Sequence, residues 1–208
     1  MINDAHCHFF SDRFFAALSS QRGRSQSAND ICRELEWDAP GTVEALTNRW
    51  VRELDACGVS RAALIASVPG DEDSVAAAVR RRPDRFVGFF MLDPSAPDAA
   101  DRTRRAITEL GLRGVCLFPA MHHVSLYDDR VSRIVDAAAQ APGVAVFVHC
   151  GALSVGVRRK LGLPSRSRNR LGRPSLRRTP TESAPQCTKT ATPGTSATVS
   201  TMRLTRSS

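Results

Sequence analysis

Several absences narrow the reading of this 208-residue chain. It has no apolar run near the eighteen or so residues that span a bilayer; "VGFFML" and "AALIASV" are strand-sized, so no membrane partner is expected. No basic flank leads into an apolar segment at the start, so no secretory signal is read there. The six cysteines (Cys7, Cys32, Cys57, Cys116, Cys150 and Cys187) include no C-x-x-C pair. They read as reduced, mostly buried thiols of a cytoplasmic protein, not as a disulfide framework. No Gly-rich phosphate loop follows the first strand-like segment, which argues against a doubly wound nucleotide-binding sheet.

Charge of either sign in excess is also missing from most of the chain. Residues 1–164 hold twenty Lys/Arg and twenty Asp/Glu; residues 165–208 hold nine basic residues against Glu182 alone. The whole net charge of +8 therefore belongs to the last 44 residues. Of these, 29 are Ser, Thr, Pro or Arg, none is aromatic, and no period near 2 or 3.6 runs through them. Such a segment cannot bury enough apolar surface to offset its ordering entropy, so 165–208 is expected to be a disordered basic tail. Its "SRSRNR" has the look of an Arg/Ser nucleic-acid-binding segment, but without interleaved aromatics that reading is the weakest. A folded domain over 1–164 is the complementary expectation, with the break at Leu163-Pro164.

Within 1–164, strand and helix signals alternate. "INDAH" reads as a strand, and "GTVEALTNRWVRELDACGV" as a helix with Val43, Leu46, Trp50, Leu54 and Cys57 on one face. "RAALIASV", "RFVGFFML", "RGVCLF" and "GVAVFVHCG" are apolar runs suited to strands buried on both faces, with helical segments between them. The expected fold class is α/β, with about five β/α units of a (β/α)8 barrel, a fold that takes roughly 250 residues to close. The first and fifth strands would then be open edges, able to pair with other chains in a homo-oligomer or an aggregate.

What is present at the start is "DAHCH". On a regular strand alternate side chains share a face, so Asp4, His6 and His8 are expected to point one way and Cys7 the other. Two neutral imidazoles at the mouth of a barrel suit zinc or a similar divalent ion, with Asp4 placed to orient one of them. His149 ends an apolar strand just before Cys150-Gly151 turn the chain, a position that reads as ligating or catalytic in a barrel. His122 and His123 follow the fourth strand in "FPAMHHVSLYDD", a loop where they are candidates for substrate contact or for plain solvation. Cys116, on the fourth strand, reads as a buried structural thiol.

"DAHCHFF", "GLRGVCLFP" and "VAVFVHCGALSVGVRRKLGLP" together resemble the amidohydrolase-related metal-dependent hydrolases and decarboxylases, over residues 1 to about 164. The resemblance implies a TIM barrel in which His6, His8 and His149 bind a divalent metal ion, taken here as zinc. It also implies a later histidine after the sixth strand and an aspartate after the eighth. Neither has a counterpart: the last histidine is His149 and the last aspartate Asp136. TatD-like nucleases share the D-x-H-C-H start but call for a glutamate where this chain reads "RGVCLFP".

The function expected from the resemblance is metal-dependent hydrolysis or non-oxidative decarboxylation of a small organic acid, amide or lactone. Two other readings stay open: a catalytically inactive, truncated fragment of such an enzyme, and nucleic-acid binding through the basic tail. The first has a visible cause. Residues 1–164 use nineteen Arg and one Lys with abundant Ala, as GC-rich coding gives. A frameshift near codon 164 in such a gene yields Arg, Ser, Pro and Thr in quantity.

Overall fold

The alternation expected from the sequence is realised as half a barrel. The computed structural model describes residues 1–23, 26–149, 156–163 and 199–202. Five parallel strands, β1 (Ile2–Phe9), β2 (Val59–Ala66), β3 (Phe86–Leu92), β4 (Gly114–Leu117) and β5 (Ala145–His149), pair in chain order. Between β1 and β2 lie α1 (Asp12–Gln21), α2 (Ala28–Leu35) and α3 (Val43–Ala56). α4 (Glu72–Arg81) joins β2 to β3, and α5 (Ala99–Thr108) joins β3 to β4. α6 (Pro119–His122) and α7 (Asp129–Ala139) lead to β5, and α8 (Gly156–Lys160) follows it. No helix among the described residues is long and apolar enough to cross a membrane.

The sheet separates two layers by the parity of its residues. Leu64, Phe90, Val115 and Leu117 face the helices in the main core, with Leu46, Leu54, Val75 and Ile134 from across the layer. Ile65, Met91, Cys116 and Phe147 form the other, inner cluster. Gly88 is required on the helix side, because a Cβ there would lie 2.4 Å from Leu112 Cδ2 and 3.1 Å from Val75 and Val79. Gly114 does the same inside, where the Phe89 ring lies 2.5 Å from where a Cβ would stand.

Helices α1, α2, α6 and α8 were not read from the sequence. α1 and α2 pack on each other and on α8 through Phe15, Leu18, Ile31, Leu35, Val157 and Leu161. Their start signals are ordinary: the Ser11 side chain accepts from the Phe14 N–H, and Ser27 and Asp30 form a reciprocal capping box. On α3 the apolar face is buried at Leu46, Val51 and Leu54, but Cys57 is exposed at the helix end and is not part of that face.

Residues 165–198 and 203–208, and with them Cys187, lie outside the described residues, as does Cys150. The four that are described form β6 (Val199–Met202), antiparallel to β5, with Val199 opposite His149 and Met202 opposite Val146. The exposed edge of β5 offers unpaired backbone groups, and "VSTM" carries β-branched Val199 and Thr201. The open edges were expected at β1 and β5; among the described residues they are β1 and β6, with β5 covered.

Candidate functional site

Residues at the C-terminal ends of the strands build the site, the end at which barrels carry their chemistry. His6 and His8 come from β1, Ser67 follows β2, and His149 closes β5. His8 pairs across the strands with Ile65, an inner-layer residue, so the two histidines of β1 look into the half-barrel. His6 meets the Phe147 ring edge-on at 5.1 Å, and Phe118 stacks on His149 at 5.2 Å.

The two imidazoles converge. His6 Nε2 and His8 Nε2 are 3.1 Å apart. Two nitrogens bound to one zinc at about 2.0–2.1 Å, with angles between octahedral and tetrahedral, are roughly 2.9–3.4 Å apart, so this spacing fits a shared ion. His8 Nδ1 lies 2.9 Å from Ser67 Oγ. Ser67 spends its own hydroxyl proton on the Ile65 carbonyl at 3.0 Å, so its oxygen accepts from His8 Nδ1–H. That contact holds the His8 tautomer with Nε2 unprotonated and turned toward His6. His6 Nδ1 is buried and has no hydrogen-bond partner among the described residues.

All three histidines are held toward the neutral, ligating form. Burial, followed by the proximity of His6 and His149, pushes His8 down to about 4. Burial also lowers His6, against an opposing pull from Asp4, and it lowers His149, with His6 adding to the effect. His149 is thus within electrostatic reach of the pair. Even so, no three His, Cys, Asp or Glu side chains among the described residues are gathered closely enough to close on one ion.

Asp4 is not on the face expected for it. A bulge interrupts the register between Asp4, opposite Ala62, and Cys7, opposite Leu64. The extra residue puts Asp4 on the Cys7 side of the strand. Its carboxylate accepts the His6 main-chain N–H at 2.9 Å. It also bonds the Cys7 thiol, which burial first and Asp4 second push up to about 12. Ser67, unmarked in the sequence, does for His8 what Asp4 was expected to do. Its signal was a lone polar residue ending the apolar run "ALIAS".

The loop after β4 holds the other two histidines. His122 ends α6 half-buried, while His123 is exposed and takes the left-handed conformation (φ 55°) that caps this helix. Cys116 is buried on the inner face and burial pushes its thiol up to about 12, so it stays a neutral packing group. Between the loops after β1 and β2, buried Asp71 accepts from the Ser11 and Ser74 hydroxyls and ties the two strand ends together.

A model of the family described as Amidohydrolase matches residues 4–186, most of the chain. The chain belongs to the Amidohydrolase family. The match begins at Asp4, includes all five histidines and runs past Leu163-Pro164. Among solved structures, this amidohydrolase chain is similar to 5-carboxyvanillate decarboxylase of Novosphingobium aromaticivorans, crystallised with manganese and 3-methoxy-4-hydroxy-5-nitrobenzoic acid. The two share 19% identity at a TM-score of 0.55, over 78% of this chain and 55% of that one. A probable 2-pyrone-4,6-dicarboxylic acid hydrolase of Acinetobacter baumannii, with citric acid bound, aligns at 15% identity and a TM-score of 0.48, over 72% of this chain and 49% of that one. This amidohydrolase chain therefore spans about half the length of the two structures. No curated protein matches it.

Proposed function

We propose that this chain carries the first half of a metal-dependent active site that hydrolyses or decarboxylates a small organic acid, amide or lactone. The observation that carries the reading is the 3.1 Å convergence of His6 and His8 Nε2, with the His8 tautomer held by Ser67. His6 and His8 would hold a divalent ion, and His149, at the end of β5, would be the third ligand. Imidazole donors suit zinc, and the Novosphingobium decarboxylase holds manganese; these are the two ions to load. When bound, such an ion supplies a lowered pKa to a water or polarises a substrate carbonyl or carboxylate.

The chain's own residues would do the rest by position. Ser67 keeps His8 turned inward, and the Phe118 and Phe147 rings fix His149 and His6 while keeping water from their flanks. Asp4, turned to Cys7, would support the backbone of His6 and not its ring. Thiols buried at Cys7, Cys32 and Cys116 suit the reducing cytoplasm, which remains part of this proposal. Calorimetric titration of zinc and manganese tests it. The wild-type chain should bind one ion, and His8→Ala and His149→Ala should each bind at least about tenfold more weakly. Unchanged affinity in either variant removes that residue from the site.

A second reading, an inactive fragment, is favoured by the absence of a three-ligand group among the described residues. The nucleotide sequence tests its cause. Another frame after codon 164 should encode further alternating strands and helices, with a histidine and then an aspartate at strand ends. Neither frame doing so would refute a frameshift.

A further inference from the structure

The ring contacts of the site continue outward from His8. Phe10 stacks on the His8 ring with centroids 5.6 Å apart and planes within 4°. Trp37 stacks in turn on Phe10 at 5.7 Å. These rings form one wall of a cleft of about 420 Å³ whose other wall is a single face of α3, carrying Leu46, Arg49, Trp50 and Glu53. The volume falls within the range of small-molecule sites, roughly 300–1,000 Å³.

The charges around this aromatic cleft are unbalanced. Glu36, Asp38 and Glu53 line it against one cation, Arg49. Arg49 is already engaged, donating to the Ala39 carbonyl at 3.1 Å and pairing with Asp38 at 4.0 Å. Neither Glu36 nor Glu53 has an ion-pair partner among the described residues. Two carboxylates without ion-pair partners, in a cleft lined by two indole rings, attract cations and repel anions.

The backbone at Glu36 explains how Trp37 reaches the cleft. It sits at φ 59°, ψ 39°, in the left-handed turn that ends α2, a place where glycine is the usual residue. The turn sends Trp37 out to the cleft, 39% exposed despite its size, with its main-chain N–H donating to the Cys32 carbonyl at 2.9 Å.

We propose that the cleft binds an organic ammonium group, so that the substrate of the site carries positive charge on its part remote from the bond that breaks. Only the word substrate rests on the function proposed above; binding of the cation needs neither metal nor turnover. Both tryptophans of the chain, Trp37 and Trp50, line the cleft, so tryptophan emission reports its occupancy directly. The metal-free full chain is titrated with phenyltrimethylammonium, benzoate and benzyl alcohol. Saturable binding of the cation, at least tenfold tighter than of the other two, is expected.

Glu36→Gly relieves the backbone and should fold at least as well, yet weaken the cation about threefold or more; Glu53→Gln should do likewise. Benzoate binding as tightly as the cation, or Glu36→Gly with full cation affinity, would overturn the proposal, as would no saturable change in emission. Zinc titration in parallel separates the two readings. Cation binding without zinc binding refutes only the metal site, and the reverse refutes only the cleft.

Discussion

The two faces of one sheet do different work here. Toward the helices, Leu64, Phe90, Val115 and Leu117 are wholly or almost wholly buried among apolar neighbours. Toward the inside, the same strands present Ile65, Met91, Cys116 and Phe147, then end on His8 and His149, with Ser67 just beyond β2. On the function proposed above, neighbouring residues on one strand serve stability and chemistry separately. Parity decides which, and one extra residue in β1 is enough to move Asp4 from the second role to the first.

If the faces are separable, their variants should fail differently. The largest effect is expected from the helix-facing side. Leu64→Ala removes a fully buried side chain and should cost about 2–5 kcal/mol in urea unfolding. Zinc affinity of the fraction that remains folded should be unchanged, and a parallel loss of affinity would merge the two roles.

Next comes pH, which acts through the inner face. His8 is held down to about 4 in the folded chain and titrates near 6.5 when unfolded. Between those values the unfolded chain takes up a proton that the folded one refuses. Stability of the metal-free protein should therefore be full above about pH 6.5 and fall toward pH 4, by at most about 3 kcal/mol. Urea midpoints across that window measure it, and His8→Asn should reduce the slope, with the smaller part that remains coming from His6 and His149, which are lowered in the same direction. A slope unchanged in His8→Asn would assign it elsewhere.

Smaller again, Ser67→Ala should weaken zinc by about 10- to 100-fold through loss of ring orientation, with Ser67→Thr restoring most of it. A nitrogen NMR spectrum of the His8 ring gives the tautomer directly; an unchanged Nδ1–H form in Ser67→Ala would deny Ser67 this role. The least effect is expected from Asp4→Asn. Its carboxylate touches a main-chain N–H and a thiol, not an imidazole, so zinc affinity should change less than about threefold while stability drops by about 1 kcal/mol. A tenfold loss of zinc affinity would return Asp4 to the site.

The five parallel strands were legible because each is a short apolar run bounded by turn residues, and burial on both faces leaves that pattern local. His6 and His8 stood out as candidates by their alternate spacing in "DAHCH", and His149 because it ended a run that would otherwise have stayed apolar. Asp4 misled because the bulge at Asp4–Cys7 depends on pairing with β2, which no property of "DAHCH" encodes. Ser67 lies 59 positions from His8 in sequence, so its partnership exists only once β1 and β2 are in register. α1 and α2 carried their caps in plain view at Ser11 and Ser27. β6 was hidden for the opposite reason: four residues in a stretch without periodicity become a strand only because an edge stands waiting.

That short antiparallel strand has a consequence for how copies of the chain could meet. An open sheet keeps two edges, and here they are β1, eight residues long, and β6, four residues long, with β5 covered between β4 and β6. Very short edge strands are poor templates for an incoming chain. Repeated head-to-tail growth needs both edges, so the four-residue one limits it, and strand addition between copies is expected along β1 first.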